Sequence, residues 1–123
     1  MTVRLFFILG CAFSFLAVAL GAFAAHGLKT KLSVEMFNIF EVGVRYHFYH
    51  AFALFVVSAA AAYWEQTHFS LAGWAFVFGI VLFSGSLYLL SLTGIRWLGA
   101  VTPIGGISFL LGWFLLAYKV FKL

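Results

Sequence analysis

Four runs of apolar residues organise the chain, at residues 5–25, 46–64, 71–92 and 98–121. Each is close to the ~20 residues that a helix needs to cross about 30 Å of hydrocarbon. None alternates with a period of two, as the strands of a membrane barrel would. In lipid each backbone group must be bonded within its own segment, so such runs are helices. The connections Glu65–Ser70 and Thr93–Trp97 are too short for anything but antiparallel neighbours. The pattern predicts an all-α integral membrane bundle of four antiparallel transmembrane helices, one domain over residues 1–123.

The connection His26–Arg45 is longer and amphipathic. Lys31, Glu35, Asn38, Glu41 and Arg45 recur at spacings of four, three, three and four, which makes one polar stripe on a helix. Met36, Phe37, Phe40 and Val44 lie off that stripe, and Ser33 is placed to cap its start. This predicts an amphipathic interfacial helix over residues 33–45 running into the second span. A single long, tilted helix is the alternative. Glu41 and Arg45 are set for an i,i+4 ion pair in the favourable order.

The start, MTVR followed by a run ending in GAFAA, has the outline of a secretory signal. A signal core is about 7–15 residues, shorter than residues 5–25, so an uncleaved first span is preferred. Ile8–Cys11 has the form of a lipoprotein cleavage box, but too little apolar sequence precedes it.

Composition excludes a soluble domain. The chain is 66 % hydrophobic and 8 % charged, against roughly 45–50 % and 25 % in ordinary soluble proteins. A domain this small cannot hide that much apolar surface from water. The net charge of +4 comes from cations scattered at the ends of apolar runs, where they reach headgroups. They form no basic cluster, so nucleic acid is not an expected partner; the lipid bilayer is. Four spans put both termini on one side. Arg4, Lys119 and Lys122 then oppose Lys29, Lys31, Arg45 and Arg96, a count that leaves orientation open.

Small residues mark helix contacts. Gly10, Ser14, Ala17, Gly21 and Ala25 form a stripe on the first span. Gly105, Ser108 and Gly112, with Gly106 beside them, repeat the device on the fourth, and Ser84, Gly85, Tyr88 and Ser91 on the third. In lipid, close backbone approach is how helices associate. Packing within one bundle is the preferred reading, self-association the other.

The candidate chemistry lies in Tyr46-His47-Phe48-Tyr49-His50. His47 and His50 are three apart, on one helix face, away from the Lys31–Arg45 stripe. Ionisable groups at membrane depth face the bundle interior or a wet cavity. Three readings compete. The first is a neutral pair bonded to Ser84, Tyr88 or backbone. The second is a proton relay, since imidazole titrates near neutral pH. The last is a haem or metal site with His26 as a third ligand, for which no thiolate or carboxylate is clearly placed. No cofactor or metal is expected. His26 and Gly27 read as the end of the first helix, with His26 capping it. Pro103 reads as a first-turn proline of the fourth span. A deeper Pro103 would instead open the helix near Thr102. The chain has no Asp, no G-x-S-x-G elbow, no P-loop and no H-E-x-x-H. It is not expected to be an enzyme.

Together the segments GAFAAHGL (Gly21–Leu28), YHFYHAFAL (Tyr46–Leu54), FSGSLYLL (Phe83–Leu90) and TPIGGISFLLGW (Thr102–Trp113) resemble the domain of unknown function 423 family. That family includes small bacterial inner-membrane proteins and the eukaryotic transmembrane protein 256 group. Ala24 stands where the family motif is expected to hold Gly. The resemblance implies a four-span protein of the bacterial inner membrane and supplies no activity. It singles out His26, Gly27, Tyr46, His47, His50, Ser84, Gly85, Ser86, Tyr88, Thr102, Pro103, Gly105 and Gly106. A polar pocket of His26, Tyr46, His47, His50, Ser84, Ser86, Tyr88 and Thr102 is the expected centre. The leading expectation for function is a non-enzymatic protein acting through homo-oligomerisation or as an accessory subunit of a membrane-protein partner. A small transporter or channel for protons or a small solute comes next, and a haem or metal carrier last.

Overall fold

The computed structural model describes residues 1–123, all of them helix or connection, with no strand. Helix α1 spans Thr2–Leu28, its last turn, Ala24–Leu28, wound as a π-helix. Helix α2 spans Val34–Tyr63. Helix α3 spans Ser70–Thr93, with a π-wound segment at Ile80–Ser84. A 3-10 segment, Arg96–Ala100, leads into α4, Thr102–Phe121.

Three segments are long and apolar enough to cross a membrane: Thr2–Leu28, Ser70–Thr93 and Arg96–Phe121. Helix α2 is not among them, although it has 30 residues. Tyr46, His47, Tyr49 and His50 interrupt the apolar character of its second half.

The ends of the helices follow local chemistry. Ser33 caps α2, its Oγ accepting from the Met36 N–H at 3.2 Å. Gly94 closes α3 at φ 73°, the one residue with a positive φ. A side chain there would be strained, which is why glycine ends this helix. Pro103 sits in the first turn of α4, where its missing N–H costs nothing. At α1 the expectation fails. Gly27 is not a stop: the π turn carries on to Leu28, with Lys29 N–H bonded to Ala24 O at 3.0 Å.

The expected interfacial helix is not a separate element. Nothing between Ser33 and Tyr63 breaks the helix, so residues 34–45 continue directly into the YHFYH segment. Their apolar side packs inward: Phe40 is fully buried with Ala24 and Leu28 of α1, and Phe37, Val44 and Tyr88 pack around it. The expected Glu41–Arg45 pair does not form either. The ion pair present joins Glu35 at the start of α2 to Arg96 after α3, at 3.0 Å.

Neighbouring helices run antiparallel. Gly10 lies against Phe55 and Gly21 against Val44, so α1 and α2 count in opposite directions. The core is made of rings seated over glycines. Phe6 of α1 covers Gly73 of α3, Phe109 of α4 covers Gly79, and Phe76 of α3 covers Gly112, where a Cβ would stand 2.6 Å from the ring. At Gly105 the neighbour is the backbone of Phe83 itself. Such close approach supplies the dispersion contacts that hold helices together in lipid. The outward faces carry Phe7, Ile8, Phe15, Ile107, Leu110 and Phe114, all exposed. That surface suits hydrocarbon and not water.

Candidate functional site: the polar centre

The polar centre begins at Gly43. With no side chain there, Tyr88 of α3 closes on α2; a Cβ at Gly43 would stand 2.9 Å from the Tyr88 ring. Ser84, one turn earlier on α3, donates its hydroxyl to the Gly43 carbonyl at 2.7 Å. Ser84 is wholly buried and ends the π-wound segment. This bond and the pressure of Gly105 on Phe83 both fall where α3 departs from α-helical winding, a usual site for tertiary contacts to be accommodated.

His47 and His50 diverge. Three residues turn a helix by about 300°, leaving side chains roughly 60° apart, enough to reach different neighbours. His47 turns to α3, with Nδ1 2.8 Å from the Tyr88 hydroxyl, and the Phe13 ring of α1 stands edge-on to it. His50 turns to α4. Its ring lies 3.5 Å from that of Phe109, nearly parallel, and Nε2 accepts the Trp113 indole N–H at 3.2 Å. Indole is only a donor. His50 Nε2 is therefore unprotonated, and Nδ1 carries the proton that it donates to the Tyr46 carbonyl at 2.7 Å. The geometry fixes one neutral tautomer.

Ser86 and Thr102 join α3 to α4 at 2.7 Å. Ser86 gives its one proton to the Phe83 carbonyl at 2.8 Å, so Thr102 is the donor between the two hydroxyls. Tyr46 is partly exposed; its ring packs on Phe83, and its hydroxyl has no partner in the chain. His26 is exposed near the end of α1 and joins none of these contacts. The expected eight-residue pocket is thus a series of paired contacts between helices, with His26 outside it. No three of the His, Cys, Asp and Glu residues converge. Neither His47 nor His50 lines any of the recesses found on the molecule. Two buried polar atoms have no partner: His47 Nε2 and Ser14 Oγ.

The small-residue stripes are spent inside the molecule. Gly10, Ala17 and Gly21 face α2 or lie buried, while Ala25 at the end of the stripe is exposed. Ser108 donates to the Ala75 carbonyl, and Gly105 and Gly112 face α3. Gly85 has nothing within 4 Å, and Gly106 only the Phe83 ring at 3.8 Å. Ala24 is fully buried against Phe40 and Leu28, so its methyl fills space that Gly would leave.

Sequence reasoning missed Gly43, Gly73, Gly79, Phe109 and Trp113. Gly43 had a signal, a glycine inside an amphipathic helix. Trp113 closes a quoted segment, but nothing in one sequence pairs it with a histidine 63 positions away.

The family model described as "Protein of unknown function (DUF423)" matches residues 20–106. The chain is 46 % identical over 120 residues to UPF0382 membrane protein YwdK of Bacillus subtilis, covering 97 % of this chain and 98 % of that one. It is 44 % identical over 119 residues to a UPF0382 membrane protein of Staphylococcus haemolyticus, covering 97 % of each. A third, from Staphylococcus saprophyticus, is 42 % identical over 120 residues, covering 98 % of this chain and 99 % of its own. No solved structure matches. With its apolar spans and these relatives the chain is a multi-pass membrane protein, and it belongs to the DUF423 family.

Proposed function

We propose that this is a non-enzymatic protein that crosses the bacterial cell membrane four times and acts by contact with other membrane proteins, as an oligomer or an accessory subunit. Its polar centre is structural. The observation that carries this is the environment of His50. One nitrogen is bonded to Tyr46 O, the other to Trp113, and the ring face rests on Phe109. Such a ring has no free atom for a solute, a proton donor or a metal. In the four-span reading α2 is the second crossing, tilted, with its first turn, at Glu35, among the headgroups. Gentle extraction of the tagged chain into polymer-bounded nanodiscs from its own membranes tests the function. Co-purification of a fixed partner or a defined oligomer is the expected result. Monomer alone, with no partner, overturns it.

The second reading, a small proton or solute pathway, is favoured by one observation: His47 Nε2 and Ser14 Oγ are buried without partners. Proteoliposome flux that is present in the native chain and abolished by His47→Ala would establish it. Flux that is absent, or unchanged by the substitution, would remove it.

A further inference from the structure

Glu41 and Arg45 stand one turn apart on the outer side of α2. With Val44, Phe48, Tyr49 and Phe52 they line a shallow groove of about 420 Å³. Neither has an ionic partner in the chain, whose salt bridge is Glu35–Arg96. Their depth follows from their neighbours. Val44 meets Gly21 of α1, and Gly43 meets Leu87 and Tyr88 of α3. Gly21 is about 6 Å short of the apolar limit of α1 at Ala25, at 1.5 Å per residue. Leu87 is likewise short of Leu92. Arg45 therefore sits beside helices that are still apolar, and Glu41, one turn nearer the headgroups, lies level with their last apolar turn. An ion facing lipid at that depth is costly, and intramembrane ions are as a rule paired.

The arrangement is self-complementary. Two copies related by a twofold axis along the membrane normal hold their α2 helices at equal depth. Helical side chains lean toward the N-terminus, which on α2 is the headgroup end. Each Arg45 then rises toward the Glu41 of the other copy, making two reciprocal pairs. The Tyr49 and Phe52 side chains, both more than half exposed, meet the opposite groove. A lipid phosphate would satisfy Arg45 and be repelled by Glu41. A surface with the same two charges in the same order satisfies both. We propose that the Glu41–Phe52 face of α2 is the contact between two copies of this chain, held by reciprocal Glu41–Arg45 pairs. The proposal rests on the oligomer reading above and names its surface.

The test uses the full chain in bacterial membranes, with Cys11→Ser and a single Tyr49→Cys. Cys11, exposed on α1, serves as the control position in the native chain. Oxidation is expected to link position 49 to itself. Glu41→Arg alone and Arg45→Glu alone should each lower the linked fraction at least about ten-fold, because like charges then oppose across the face. Co-expressing these two variants should restore it, as should the swap of both charges within one chain, which also controls for folding. No link at position 49, links insensitive to charge, or no restoration on mixing would each overturn the proposal. If native chains link through Cys11 instead, this face is wrong and the oligomer reading stands. If no oligomer is found by either route, both fall.

Discussion

The indole N–H of Trp113 is bonded to Nε2 of His50 at 3.2 Å, joining α4 to α2 across the middle of the molecule. His50 is 6 % exposed, so Nε2 has no water to fall back on. Trp113→Phe keeps a ring in place and removes the donor. The expected loss is about 1 kcal/mol of unfolding free energy, within the range of hydrogen bonds measured in membranes. The loss should shrink in a His50→Phe background, where no acceptor is left unpaired. Reversible unfolding in mixed micelles measures all four corners of that cycle.

Two glycines make a contrasting pair. A Cβ on Gly105 would enter the backbone of Phe83, which cannot rotate away. Gly105→Ala should therefore part α3 from α4 and cost about 3 kcal/mol. Gly85 has an ordinary helical φ and nothing within 4 Å. Gly85→Ala should be neutral or stabilising by up to about 1 kcal/mol, through the unfolded chain. Thermal unfolding of the two variants separates a glycine needed for contact from one that is not.

Which parts of this were legible in the sequence follows from what decides each one. The apolar runs are set by solvent, so the helices could be read from composition along the chain. The α1 stripe could be read because Gly10 and Gly21 recur at helical spacing. The interfacial helix expected over residues 33–45 is the first part of one helix with the second span, since polarity changes at Arg45 but helix propensity does not. The π-wound turn at Ile80–Ser84 is set by Ser84 on Gly43 and Gly105 on Phe83, contacts between distant segments. The split of His47 from His50 depends on where α3 and α4 stand, which no spacing within α2 reveals.

Tyr88 is both a packing residue and the partner of His47. Tyr88→Phe preserves the ring over Gly43 and against Phe40. It leaves His47 with no partner at either nitrogen, because Nε2 has none already. The expected cost is about 1–3 kcal/mol, the penalty for a buried polar group left unpaired. A loss no larger in Tyr88→Phe than in a His47→Leu, Tyr88→Phe double variant would contradict the pairing.

The Glu35–Arg96 pair ties the start of α2 to the connection before α4. The hydrogen bond from Arg96, and then its charge, hold the Glu35 carboxyl below its ordinary value of 4.5. Such a group contributes in full above its unfolded pKa and loses the contribution as pH falls through the lower folded value. The pair is exposed, so salt weakens it. Limited proteolysis of the Thr93–Val101 connection should be faster in Arg96→Gln than in the native chain at neutral pH and low salt. The difference should narrow as pH falls below the ordinary carboxylate value of 4.5, and shrink in about 1 M salt.

The central claim is that the histidines are structural and dry, and His50 tests it most directly. Solid-state NMR of the ¹⁵N-labelled chain in lipid bilayers reads its two ring nitrogens. The structure predicts a protonated Nδ1, an unprotonated Nε2 accepting a hydrogen bond, and a contact from the Trp113 indole proton to that Nε2. Protonation at Nε2, or transfer of magnetisation from mobile water to the His50 ring with none from Trp113, would contradict it.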